Sequence, residues 1–258
     1  MTKAAAASAR EYVLGLELPE AGPSLEGVRG IGAGGEVKFT EEAQAVVVGG
    51  QIAEFTEAVP PALREAISDG MLLAQLAANK ASAQSGDIFR WYDKYVEVLQ
   101  NIGWQLHDFD FRQQQIDNQD LNVHEAIVPV ITAMLGPHIA AASIVMSVLQ
   151  GLKDMDRSRP WITLFDRESQ HAEGAKFQVA YVDVDAGGEP QIALLCFGIR
   201  AQRTITQVLF FKFSADKAEV KKAEGKLGVS LARLNAAKEA LSARVAPFVA
   251  DFVKNVDI

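Results

Sequence analysis

Residues 190–214 read PQIALLCFGIRAQRTITQVLFFKFS, and the fold turns on them. The spacing predicts two long apolar strands, Gln191 to Arg200 and Thr204 to Ser214, joined by a tight connection. Upstream, Phe177 to Val184 is a third strand, reached through the turn DAGGEP, and WITLF at 161–165 is read as a fourth. Together they make a β-meander over 161–214. Residues 191–200 are apolar on both faces, the mark of an interior strand covered on both sides. In the middle of that strand sits Cys196, the single cysteine of 258 residues.

Centring the DAGGEP turn on Gly187 and Gly188 places Gln178 beside Cys196 on one neighbouring strand. The same reading places Val208 beside it on the other. Leu194, Gly198, Ala180, Thr206 and Phe210 then share the cysteine's face, and a slip of one residue would invert it. After Ser214, Asp216 is read as the start of a long C-terminal helix over 216–257. Its first half, KAEVKKAEGKLGVS, is charged. Its second half sets Leu231, Leu234, Ala237, Leu241, Val245 and Phe248 on one side, with Pro247 as a kink or restart.

The N-terminal half is read as mainly helical over 40–155, behind a loop-rich segment 1–39. GIGAGG at Gly30, Gly32 and Gly35 matches a dinucleotide fingerprint in form only, because no buried strand precedes it. Thr40 is read as the N-cap of a helix through AQAVVVGGQIAEFTEAV, stopped by Pro60 and Pro61. A second helix follows Pro61, with Leu63, Ile67, Met71 or Leu72, and Leu76 at helical spacing. Asp87 caps a third, IFRWYDKYVEVLQNIGWQLHDF, whose dense aromatic residues read as core. Residues 126–152 carry no charge apart from His138, and Pro129 and Gly136-Pro137 divide them. Residues 137–152 read as a helix that is apolar nearly all round and lies against the sheet. The expectation is one α+β domain over 1–258: a helical layer on a small antiparallel β-meander, with a long C-terminal helix.

A net charge of −8 with an isoelectric point near 5.1 argues against a nucleic-acid partner. One cysteine excludes a disulfide framework and a thiolate zinc cluster, and no two histidines stand at ligand spacing, so no metal is expected. The start, MTKAAAASAREYVLG, lacks the uninterrupted apolar core of an export signal, which points to a cytoplasmic chain or one delivered without that signal. There is no G-x-S-x-G elbow and no P-loop.

Three readings of Cys196 stay open. It is an inert core thiol, an acyl acceptor, or a nucleophile that turns over in a cysteine acyltransferase or thioesterase. The last two need a greasy channel, and the third needs a base. The base singled out is His138, which opens the apolar helix and is kept neutral by the helix dipole. The channel singled out is formed by Ala140, Ala141, Ser143 and Ile144, facing Leu194 and Gly198. A fourth reading leaves the thiol aside: a membrane-active protein that inserts the apolar hairpin 126–152.

With its lone cysteine on an apolar strand after a helical half, and its LLCFG segment, the chain resembles the Erwinia virulence factor family. That resemblance implies an α/β protein whose cysteine carries a palmitoyl group in a hydrophobic interior, and Cys196 is the position that inherits it. The partners expected are a fatty acyl chain or acyl-CoA and a membrane surface. No cofactor is expected other than a covalent palmitate or similar acyl group.

Overall fold

The computed structural model describes residues 3–21, 37–83, 87–106, 109–113, 129–130, 132–133, 159–171, 174–201 and 218–256. The side chains of 3–7, 171, 201, 218 and 219 are outside that description. Its helices are α1 (Lys3–Gly15), α2 (Pro61–Ser82), α3 (Ile88–Asn101), α4 (Pro160–Ser169) and α5 (Leu231–Phe252). Its strands are β1 (Gln44–Val48), β2 (Gln51–Phe55), β3 (Trp104–Gln105), β4 (Arg112–Gln113), β5 (Gln170–His171), β6 (Gly174–Val184), β7 (Pro190–Ala201), β8 (Ala218–Val229) and β9 (Val253–Asn255). The architecture is α+β. One mixed sheet runs β3-β8-β7-β6-β2-β1-β9, with β4 added on β8 and β5 on β6. The β2–β6 pair is parallel and the other pairs are antiparallel.

β6 and β7 pair along their whole length, from Gly174 with Arg200 to Val184 with Pro190. The turn between them is closed by Asp185, whose Oδ1 accepts from Gly187 N and Glu189 N. Gly188 takes φ 79°, which an L side chain resists. This register sets Gln178 opposite Cys196, as the turn predicts. The strand on the other side differs from expectation. Ala223 of β8 lies opposite Cys196, and Val208, Thr206 and Phe210 fall outside the described residues.

β8 is the largest correction. Residues 218–229 form a strand, and the C-terminal helix starts at Leu231. A strand as buried as β7 needs hydrogen-bond partners on both edges, since each unpaired buried backbone group costs about 1–3 kcal/mol. β8 satisfies β7 from Gln191 with Gly228 to Ala201 with Ala218. Its helix-like run of Lys, Glu and Ala is overridden by that long-range demand. Pro247 lies within α5.

Residues 44–55 are a hairpin, not a helix. The run AVVV favours extended backbone, and Gly49 at φ 58° makes the turn. Gln75 of α2 clasps it: its Oε1 accepts from Gly50 N at 3.0 Å and its Nε2 donates to Val48 O at 2.8 Å. A Cβ at Gly49 would lie 2.6 Å from that Oε1. Residues 161–165 are helical within α4, with Pro160 in its first turn, rather than a strand. α2 matches its sequence reading, and Asp87 Oδ1 accepts from Phe89 N at 2.9 Å as the α3 cap. α3 ends at Asn101, earlier than read, because Gly103 at φ 114° turns the chain into strand β3. The apolar helix over 137–152 lies outside the described residues.

The core on one face of the sheet joins Val46, Val48, Ala53, Phe55, Ala180, Val182, Ile192, Leu194 and Cys196 to side chains of α1, α2, α3 and α5. We call this the inner face. Buried Arg64, near the start of α2, fastens the layer, donating to the backbone carbonyls of Val59 and Thr56 at 2.7 and 2.8 Å.

Replacing Ala223 with Cys puts a second thiol directly across from Cys196. Peptide mapping after oxidation is expected to recover a 196–223 disulfide. A 196–208 disulfide in the Val208→Cys protein, with none at 223, would contradict the register.

Candidate functional site

Cys196 lies on the inner face with no exposed surface. Its ceiling is α3, whose Trp91, Tyr92 and Tyr95 are stacked or edge-to-face with one another. The Tyr92 hydroxyl reaches down to the β6–β7 ladder, 2.7 Å from Phe197 O and 3.1 Å from Phe177 O. It also accepts from Gln178 Nε2 at 2.8 Å. The Tyr95 hydroxyl donates to Gln51 Oε1 at 2.9 Å. Gln51 and Gln178 are register partners across β2 and β6. At the end of the seam, the buried Lys176 ammonium donates to Glu168 O at 2.9 Å and sits 4.2 Å from the Trp91 ring centre. Polar groups therefore surround the thiol beneath an aromatic roof.

Burial holds the thiol and the two phenols neutral. It pushes the Cys196 thiol well above its ordinary value. Tyr92 and Tyr95 are raised by burial and then by the neighbouring Cys196. Burial lowers Lys176 to about 8, against the raising effect of Glu168. A nucleophilic cysteine needs a lowered thiol pKa and access; Cys196 has neither among the described residues.

Leu194 is buried on the cysteine's face, and Gly198 lies two residues along the same strand. The space over Gly198 is occupied: a Cβ there would lie 3.2 Å from Ile88 Cγ2 and 3.4 Å from Phe89 Cε1. His138, Ala140, Ala141, Ser143 and Ile144 lie outside the described residues. A groove of about 460 Å³ runs between α1, α2 and α3, lined by Tyr12, Leu16, Lys80 and Lys94, and its lining includes no residue of the sheet. Among the described residues no cluster of three or more His, Cys, Asp and Glu could hold a metal, and no helix is long and apolar enough to cross a membrane.

The opposite, outer face carries Phe177, Val179, Tyr181, Ala193, Leu195, Phe197 and Ile199 from β6 and β7, all buried. Phe177 and Phe197 stack at 4.7 Å, and Phe165 of α4 packs on Phe177 at 6.0 Å. Half-buried Asp183 ends the β6 part of this face, accepting from the Thr56 and Tyr181 hydroxyls, and a fully buried acid stands beside Tyr181. Glu54 of β2 is 1% exposed and its Oε2 has no hydrogen-bond partner; burial raises its pKa to about 8. The sequence reading missed Glu54 and Gln51 because it placed both on a helix. The Trp91-Tyr92-Tyr95 cluster was read as core without its tie to Cys196, since only the strand register reveals that tie.

No family model and no curated protein matches the chain. Solved structures do, at a distance. A delta-endotoxin matches at 17% identity and a TM-score of 0.39, covering 72% of this chain and 85% of that one. The activated Cyt2Ba monomer of Bacillus thuringiensis subsp. israelensis matches at 15% identity and 0.37, over 69% and 97%. The Evf virulence factor matches at 14% identity and 0.30, over 85% and 86%. The likeness to the Evf protein is thus a distant one.

Glu54 fixes a pH dependence. Its carboxyl titrates from 4.5 to about 8 on folding, and that of Asp69 from 3.8 to about 7, both chiefly through burial. Between these values the folded chain holds more protons than the unfolded one, so stability falls as pH rises. Lys176 acts only above about 8, in the opposite sense. Thermal melts are expected to give a lower Tm at pH 8 than at pH 5, with a shallower slope for Glu54→Gln. An unchanged slope in that variant would contradict the assignment.

Proposed function

We propose that this chain is a lipid-directed, virulence-associated protein, that β6 and β7 form the hairpin that meets acyl chains, and that its thiol does not turn over. The observation that carries the reading is the length and two-sidedness of this hairpin. β6 has 11 residues and β7 has 12. At roughly 3.3 Å per residue an 11-residue strand spans about 36 Å, against a hydrocarbon core of about 30 Å. Its outer face is apolar from Ala175 to Tyr181 and from Ala193 to Ile199. Its inner face mixes Lys176, Gln178, Cys196 and Gly198 with aliphatic residues. Such alternation suits strands with lipid on one side and polar surroundings on the other. The virulence setting is supported by the resemblance in layout and in the LLCFG segment.

Spanning in this way requires α4 to leave the outer face, where Phe165 packs on Phe177, and α3 to part from the inner one. The contact of Gly198 with Ile88 offers a lock. In a Cys196→Ser background, Ile88→Cys with Gly198→Cys is expected to form a disulfide that ties α3 to β7. Dye release from phosphatidylcholine–phosphatidylserine vesicles is expected to be strong for the reduced protein and at least tenfold slower for the oxidised one. No release from the wild type, or equal release in both states, contradicts the reading.

A second reading concerns Cys196 itself, and its burial favours it. A thioester on this fully buried sulfur is kept from bulk water and so is protected from hydrolysis. On this reading the Cys196 sulfur replaces the sulfur of an acyl-CoA at the acyl carbonyl, and the released CoA thiolate takes the proton. His138, Ala140, Ala141, Ser143 and Ile144 keep the roles given to them from the sequence. Intact mass spectrometry is expected to show the chain plus one long-chain acyl group, lost on hydroxylamine treatment. A bare-chain mass before and after incubation with palmitoyl-CoA overturns it.

A further inference from the structure

Two atoms on the inner face are buried without a hydrogen-bond partner. Gln51 Nε2 is a donor and Gln178 Oε1 is an acceptor. The residues are 0% and 1% exposed. They are direct partners in the parallel β2–β6 register, so their side chains leave the same face side by side. Gln178 is also the register partner of Cys196. Their other amide atoms are engaged, Gln51 Oε1 by Tyr95 and Gln178 Nε2 by Tyr92. Turning either amide by half a rotation exchanges a lone donor for a lone acceptor and leaves an orphan in each case.

Buried polar groups of this kind are satisfied by protein or by an internal water. We propose that Gln51 and Gln178, beside Cys196, form a built internal site for one neutral, water-sized ligand, and that the ligand is water. The water accepts from Gln51 Nε2 and donates to Gln178 Oε1. It satisfies the pair in any orientation of the two amides, because it both gives and takes. A charged ligand is disfavoured by the neutral amides and hydroxyls around it, and Lys176 is already engaged by Glu168 O and the Trp91 ring. A longer ligand has no room toward Gly198, where Ile88 and Phe89 fill the space.

The consequence bears on the hairpin, and rests on the reading of it given above. A hydrated seam under α3 keeps the inner face partly solvated before α3 lifts. Removing the two amides also removes their hydrogen bonds to Tyr95 and Tyr92, so α3 detaches more readily.

A crystal structure of the wild-type chain at 1.5 Å or better is expected to show one well-ordered water within hydrogen-bond distance of both Gln51 and Gln178. A seam without solvent density there overturns the site. In solution, Gln51→Met and Gln178→Met are expected to change Tm non-additively, since both act through one water. Additive shifts overturn the bridge, and the crystal decides the matter if either variant fails to fold. The double variant is expected to release vesicle dye several-fold faster than wild type, and unchanged or slower release overturns the proposed effect on detachment. If the wild type releases no dye at all, the hairpin reading fails while the water site stands or falls on the crystal and the melts.

Discussion

The pairing of β6 with β7 is the constraint on which the rest depends. Both strands are buried on both faces, so each needs a neighbour on its far edge and a layer over each side. β2 satisfies β6 in parallel and β8 satisfies β7 antiparallel. Tyr92 then pins α3 to the ladder itself, through the carbonyls of Phe177 and Phe197. Removing that hydroxyl would leave two buried carbonyls and the Gln178 amide one partner short.

Much of this frame is legible in the residues. The Gly187-Gly188 turn and the alternation around it set the β6–β7 register to the residue, because a tight turn leaves one choice of pairing. Pro61 and Asp87 announce α2 and α3 through local chemistry that tertiary context does not overrule. The failures share a cause. The segments 44–55 and 218–229 are locally ambiguous, rich in Ala, Glu, Gln and Lys, and become strands because buried neighbours demand ladder partners far away in sequence. The AVVV run before Gly49-Gly50 held the stronger signal and was outweighed by the reading of Thr40 as an N-cap. The inner-face polar cluster was illegible for the same reason, since Gln51 meets Gln178 only once the β2 strand is recognised.

The same geometry narrows the chemistry. The hydroxyls and amides beneath α3 bond to one another and to the ladder, and none of these bonds activates the thiol. Glu54, the fully buried carboxyl of the outer face, is kept protonated up to about pH 8, so it brings no charge into the apolar stretch around it at neutral pH. A largely apolar, aromatic outer face and a polar inner face make the hairpin two-sided, and this two-sidedness supports a role at lipid more directly than any single residue does.

The most direct measurement is photolabelling of the unmodified chain by vesicles whose phospholipids carry a diazirine in the acyl chain, with the sites mapped by mass spectrometry. The account predicts labels on Phe177, Val179, Leu195, Phe197 and Ile199, with Lys176 and Gln178 unlabelled. Labelling that spares residues 174–201 while marking other parts of the chain would contradict it.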